Sequence, residues 1–198
     1  MRVAAVSRSI ASTSRVIWHT VLSLDGYIAG ADDDMQWVFG IDDGGGGTAD
    51  DVVRSIGALL VGRRTQSVED RLHPGFYGGA YSGPFFVLCH DPPSEPPIVK
   101  GIAGRFLDTS IEEAVTIACA AAEGSDVVVL GANVARQCIG AGLLDEIVVQ
   151  IAPVLVGDGI RFFERAGGEP IKLEPISSVV EGETTVLRFR VAQSDRSR

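Results

Sequence analysis

The stretch that most constrains the fold is Asp126 to Leu130, an acidic residue followed by four aliphatic ones, which ends in Gly131-Ala132-Asn133. An apolar run this short, stopped by glycine and followed by a helical pattern, reads as a buried strand of a largely parallel sheet. The handover at Gly131 would aim free backbone N–H groups and a positive dipole end beyond the strand. That arrangement suits the pyrophosphate of a dinucleotide. An ordinary βα turn is the competing reading, because neither GxGxxG nor GxxxxGKS/T is present. The run Gly44 to Gly47 follows an acidic loop instead of a buried strand, so it is no phosphate cradle.

The pattern on either side extends the same architecture. Val16 to Ser23 is rich in β-branched and aromatic residues and predicts a strand that breaks at Asp25-Gly26, with Tyr27 to Gly30 as loop. Asp32 to Gly47 reads as a mobile loop. Thr48 is the expected N-cap of a short helix to about Ile56, with Asp50 and Asp51 favourably placed in its first turn. Strands follow at Ala58 to Val61, Phe85 to Cys89 and Arg105 to Leu107, and a helix from about Thr65 to Leu72. Ser110 and Glu113 form a capping box for a helix to Ala122. Beyond Leu130 come a short helix and strands at Ile147 to Val156, Ile171 to Val179 and Thr185 to Val191, the last two joined by a hairpin at Glu181-Gly182-Glu183. The expected fold is α/β, with a mostly parallel central sheet flanked by helices and a C-terminal antiparallel hairpin. Residues 1–14 and 193–198 read as tails around a single domain over 15–192.

Composition narrows the function. A net charge of −9 disfavours general nucleic-acid binding, which needs clustered Lys and Arg. No apolar run approaches the roughly 20 residues that span a bilayer. Cys89, Cys119 and Cys138 lack metal-ligand spacing and predict free thiols in a reducing cytoplasm, and the three histidines form no zinc motif.

Ligands of open α/β sheets bind outside the carboxyl ends of strands, which singles out four positions. At Gly62-Arg63-Arg64-Thr65, Thr65 could cap a helix while two guanidiniums wait at its N-terminus, against the local dipole, so phosphate is the expected partner; solvated arginines paired with acids are the alternative. At Gly131-Ala132-Asn133 the Asn is a candidate cap. Asp25 is either an Asx-turn former or a catalytic acid facing the crevice. His90 is either a loop residue or a contact for an adenosine group. Trp37 and Phe76 are either a roof over a flat substrate or partly buried core. The two apolar faces of Leu143 to Val156 fit a central strand or a homodimer contact.

In this order and spacing, Ser23 to Gly30, Leu59 to Thr65, Val127 to Gln137 and Leu143 to Phe163 resemble the dihydrofolate reductase-like family. The branch is similar to the reductase C-terminal domain of bifunctional riboflavin-biosynthesis deaminase-reductases, and the likeness covers nearly the whole chain. The resemblance implies an NADPH site, with Gly62, Arg63, Arg64, Thr65 and His90 at the adenosine end and 2′-phosphate. Leu130, Gly131, Ala132, Asn133, Val134 and Ala135 would lie at the pyrophosphate, and Val21, Ile28 and Ala29 would border the nicotinamide. It also implies a homodimer and, with no deaminase zinc segment ahead, a stand-alone reductase. Ala132 stands where many relatives carry a second glycine, and the helical acid of dihydrofolate reductases has no clear counterpart. The expectation is an NADPH-dependent reductase of a small pterin- or pyrimidine-like heterocycle. The alternatives are a non-catalytic nucleotide-binding homodimer that keeps the fold, or a flavin-binding module.

Overall fold

Short runs of β-branched, aromatic and other apolar residues set the strands of the parallel sheet, and the prolines and glycines between them set the breaks. The computed structural model describes residues 14–72 and 75–192, so the expected tails at 1–14 and 193–198 lie outside the described residues apart from Ser14. The chain begins with β1 (Val16–Ser23) and β2 (Tyr27–Ala29), then α1 (Thr48–Ser55), β3 (Ile56–Gly62) and α2 (Arg63–Leu72). Next come β4 (Phe85–Leu88), the small hairpin β5 (Ile98–Val99) and β6 (Ile102–Ala103), and β7 (Arg105–Leu107). The helix α3 (Ile111–Ala121) leads to β8 (Asp126–Leu130) and α4 (Ala132–Ala141). The chain closes with β9 (Glu146–Ala152), β10 (Ile160–Arg161), β11 (Leu173–Glu181) and β12 (Thr184–Val191).

Eight strands form one sheet in the order β11-β12-β9-β1-β8-β3-β4-β7. From β9 to β7 all neighbours are parallel, while β12 runs antiparallel to β9 and to β11. This is the expected architecture. β1 lies centrally, and its alternation feeds both layers. Val16 and Trp18 enter the core beneath α3 and α4, where Trp18 stacks on Phe162 at 4.2 Å. Ile17 joins the opposite layer with Val52 of α1, Phe76 and Phe85. Both layers are fully buried at their centres, and burial of an aliphatic or aromatic side chain there is worth about 1.5–3 kcal/mol.

Several local expectations are corrected. Tyr27 to Ala29 is a strand, because Ile160 and Arg161 return to pair with it. β9 stops at Ala152 instead of Val156: Pro153 has no N–H to continue the ladder. Its two apolar faces, which fit a central strand or a homodimer contact, are covered within one chain by neighbours on both sides and a core layer on each face, as the central-strand reading expects. Thr48 is not the cap of α1. That position is Gly47, and the orphan donor is satisfied from across the molecule: Thr48 N donates to both Glu181 carboxylate oxygens at 2.9 Å, and Thr48 Oγ1 donates at 2.6 Å. Ser110 does cap α3 by accepting from Glu113 N at 3.3 Å, but Glu113 takes the Thr109 hydroxyl instead of completing the box. The loop Asp32 to Gly47 contains two short 3-10 turns, Ala31–Asp33 and Gln36–Val38. None of the three cysteines is in a disulfide. Among the described residues no helix is long and apolar enough to cross a membrane.

Candidate functional site

The carboxyl ends of β1, β3, β4 and β8 open into a cavity of about 950 Å³. Two helices begin at its wall. β3 ends at Gly62 and α2 starts at Arg63; β8 ends at Leu130 and α4 starts at Ala132. The two starts touch. Gly131 has φ +90°, and a Cβ there would overlap Thr65 Oγ1, so glycine is required on both conformational and steric grounds. Neither helix has an acid in its first turn. Their unpaired N–H groups and dipole ends therefore converge on one patch, with Arg63, Arg64 and Arg136 also on the cavity wall. In a chain of net charge −9 this patch is fitted to an anion.

Thr65 lies inside α2, not at its cap, and uses its hydroxyl side against Gly131. Asn133 likewise lies within α4, where its Oδ1 accepts from Gln137 Nε2 at 2.7 Å. The two arginines diverge. Arg64 Nε donates to Asp33 Oδ2 at 2.6 Å, which ties it to the loop after β2. Arg63 sits over the Phe106 ring at 6.0 Å and carries no acid partner among the described residues. His90 is fully exposed at the β4 end, 3.5 Å from Asp108 Oδ1. Val21, Ile28, Ala29, Gly62, Leu130, Gly131, Ala132 and Val134 also line the cavity. The Ala132 methyl packs against the core under α4.

Four expected site residues are placed elsewhere. The Asp25 carboxylate does not line the cavity: it accepts from Ser23 Oγ at 2.7 Å, Val156 N at 3.0 Å and Gly157 N at 2.7 Å. These hydrogen bonds, the Ser23 one foremost, hold its pKa down to about 2. It is a brace between the end of β1 and the segment after β9. Phe76 is fully buried against Phe85, with ring centroids 5.1 Å apart. Ala135 is core beneath α4. Trp37 is half-buried off the cavity, with its Nε1 unpartnered among the described residues.

Composition and motif gave no reason to single out His19, Glu69, Tyr77 or Gln150, all of which line the cavity. His19 shares the Ile17 face of β1, and its ring stacks on Tyr77 at 5.6 Å with Nδ1 3.0 Å from the phenol oxygen. Burial pushes the imidazole down to about 4, so it is neutral at physiological pH. Tyr77 stands at φ +55°, a left-handed conformation that costs a non-glycine residue roughly 1–2 kcal/mol, between Gly75 and Gly78. Burial, with the Glu69 charge adding to it, pushes its phenol above the ordinary value. Burial alone pushes Glu69 up to about 7.

The model of the RibD C-terminal domain family matches residues 14–187 of this chain. Among solved structures, a protein of Shewanella sp. PV-4 assigned to riboflavin biosynthesis is similar over 90% of this chain and 99% of its own, at 22% identity and a TM-score of 0.73. A diaminohydroxyphosphoribosylaminopyrimidine deaminase/5-amino-6-(5-phosphoribosylamino)uracil reductase of Thermotoga maritima matches 90% of this chain at 15% identity and a TM-score of 0.65. This chain spans 57% of the length of that protein. The riboflavin biosynthesis reductase of Saccharomyces cerevisiae is similar over 90% of both chains, at 15% identity and a TM-score of 0.61. At these identities the likeness is one of fold. No curated protein matches the chain in sequence.

Proposed function

The chain belongs to the RibD C-terminal domain family, and from that premise we propose that its cavity binds NADPH and that the protein reduces a small pyrimidine- or pterin-like heterocycle. The observation that carries this reading is the meeting of the α2 and α4 N-termini at the Thr65–Gly131 contact. Two acid-free helix starts side by side match the two phosphates of a dinucleotide. Bound there, the nicotinamide supplies the hydride. The protein's share is positional: Val21, Ile28 and Ala29 flank the ring, and the walls of the cavity exclude water. Arg63, with no acid partner among the described residues, is the group for a 2′-phosphate. Arg64 is held by Asp33 and orders the loop above the site.

Calorimetric titration tests the cofactor claim. NADPH should bind more tightly than NADH, and Arg63→Ala should remove about tenfold or more of NADPH affinity while sparing NADH, the size of one charge-assisted pair. Equal affinities for the two dinucleotides would sink the claim. Turnover is read from loss of reduced-nicotinamide absorbance against a panel of pterins, pyrimidines and quinones. The engagement of Asp25 in the backbone favours one second reading, a nucleotide-binding protein without turnover; NADPH binding with no oxidation across the panel would select it.

A further inference from the structure

The turn after β2 is built at a cost that stability does not explain. Asp32 and Asp33 stand side by side at φ +54° and +61°, in the left-handed region that non-glycine residues avoid. Gly30 N donates to Asp34 O at 2.7 Å and Asp34 N to Ala31 O at 3.1 Å, which closes the turn. The Asp34 carboxylate accepts from Gln36 N at 2.9 Å, and Asp32 is exposed. Asp33 instead reaches across to α2, with its two oxygens 2.5 and 2.6 Å from Arg64 Nε. The Arg64 side chain is 62% exposed, and an ion pair that open to water adds little to stability. Two strained residues held for so weak a bond point to a role in the site.

Arg64 is the second residue of α2 and precedes Thr65, which meets Gly131 at the start of α4. Asp33 and Arg64 both line the cavity, so the pair stands at the edge of the patch where the two helix starts meet. The arginines point apart: Arg63 lies over Phe106 of β7, and Arg64 turns toward the loop after β2, on the side where Ile28 and Ala29 line the cavity. A phosphate within reach of Arg64 is therefore one held at the helix starts, and a 2′-phosphate falls to Arg63. The Asp33 carboxylate and such a phosphate are both anionic acceptors, and the Arg64 Nε donor cannot serve the two at once.

We infer that Asp33 is a built-in competitor for the dinucleotide: its carboxylate occupies Arg64 in the free protein and yields it to the pyrophosphate when the ligand binds. The inference deepens the dinucleotide reading and rests on it for the phosphates. Asp33 acts through Arg64, so it is a positioning residue that sets how strongly an anion must bind to claim the site. The same exchange reaches the loop above. The turn runs directly into Met35, Val38 and Phe39, which line the cavity, and the Asp33–Arg64 pair ties that stretch to the α2 wall. Release of Asp33 unties it. Trp37 lies within the stretch and reports on it, whereas the other tryptophan, Trp18, is fully buried in the core.

Calorimetry on the full chain tests this with ADP-ribose, which carries the pyrophosphate without a nicotinamide or a 2′-phosphate, beside NADH and NADPH. Asp33→Asn should bind all three about three- to fivefold more tightly than wild type, the size of an exposed ion pair that no longer has to be broken. Arg64→Ala should weaken all three alike, and Asp33→Asn added to it should bring no gain. The inference is overturned by a gain that persists without Arg64, which would be plain charge repulsion, by a gain confined to NADPH, or by no gain. Trp37 supplies a second readout. ADP-ribose should shift the tryptophan emission of wild type, free Asp33→Asn should already show the shifted emission, and Trp37→Phe should abolish the change. Identical emission from the free forms of wild type and Asp33→Asn would also overturn the inference. If wild type binds none of the three ligands, the cofactor reading fails and takes the competitor with it; if it binds them and Asp33→Asn does not respond, the competitor alone fails.

Discussion

The two ends of the parallel sheet treat polar groups in opposite ways. At the amino end every buried charge is spent on the fold. Arg15 donates through Nε and Nη2 to Asp126 at 3.0 and 2.6 Å and through Nη1 to Glu146 at 3.4 Å. Arg188 of β12 donates to the other Glu146 oxygen at 2.8 and 2.6 Å, and Asp145 accepts from Val16 N at 2.8 Å. The network ties the starts of β1, β8 and β9 to β12. At the carboxyl end, two helix starts, the Glu69 carboxyl and His19 Nε2 are left without partners among the described residues. The lesson is that satisfied polar groups mark structure, whereas affordable dissatisfaction, gathered in one cavity, marks the place a ligand completes.

The largest expected effect comes from the saturated end. Glu146→Ala strands Arg188 against a buried strand start, while Arg15 loses one contact and keeps Asp126. The loss should be about 3 kcal/mol of stability in chemical denaturation, the usual cost of removing one member of a largely buried pair. NADPH affinity of the folded variant should not change. If it fell more than the stability did, the two ends would be coupled and the comparison would fail.

The next effect lies within one helix. Gly131→Ala puts a side chain at φ +90° and against Thr65 Oγ1. It should cost about 1–3 kcal/mol and weaken NADPH by about tenfold, because the α4 start must move away from the phosphate. Gly140, at the far end of α4, has nothing within 4 Å of an added Cβ. Gly140→Ala should therefore be neutral or stabilising by up to about 1 kcal/mol. Equal effects at both positions would show that Gly131 is only a helix stop.

The fold was legible where one local rule decides. β1 follows from its β-branched and aromatic residues, β8 from its aliphatic run, and the β11–β12 hairpin from Glu181-Gly182-Glu183. What failed depended on distant chain. The acceptor for the first N–H of α1 is Glu181, 133 residues beyond Thr48, and β2 exists only because β10 returns to it. The β5–β6 hairpin has two residues per strand, too few for a period to show. The residues expected around a dinucleotide fall largely on one cavity wall, since helix starts after buried strands are local features. Asp25 drew attention because it stands beside a glycine turn, yet backbone donors 131 and 132 residues away claim it. Glu69 drew none, because its desolvation arises from packing around α2. A signal for Tyr77 did exist: an aromatic residue set among Gly75, Gly78 and Gly79 marks backbone forced into position.

The smallest expected effect separates these two carboxylates by the sign of their pH dependence. Asp25 is depressed from 3.8 to about 2, so it contributes stability above pH 3.8 that is lost as pH falls through about 2. Asp25→Asn should therefore lower stability at neutral pH and flatten the acid limb of the unfolding curve. Glu69 is raised from 4.5 to about 7. The folded state binds the extra proton between those values, so wild-type stability is full below 4.5, falls as pH rises, and levels above about 7. Glu69→Gln removes that loss. At 1.36 kcal/mol per unit the limit is about 3 kcal/mol, and partial exposure of Glu69 reduces the expected gain to about 1–2 kcal/mol at pH 8, with little difference at pH 4. Melting temperatures of the two variants across this range give the answer: curves that diverge from wild type at opposite ends of the pH scale support one spent and one unspent carboxyl. Parallel curves would mean that Glu69 reaches water freely, and the contrast between saturated brace and waiting site would not extend to these two residues.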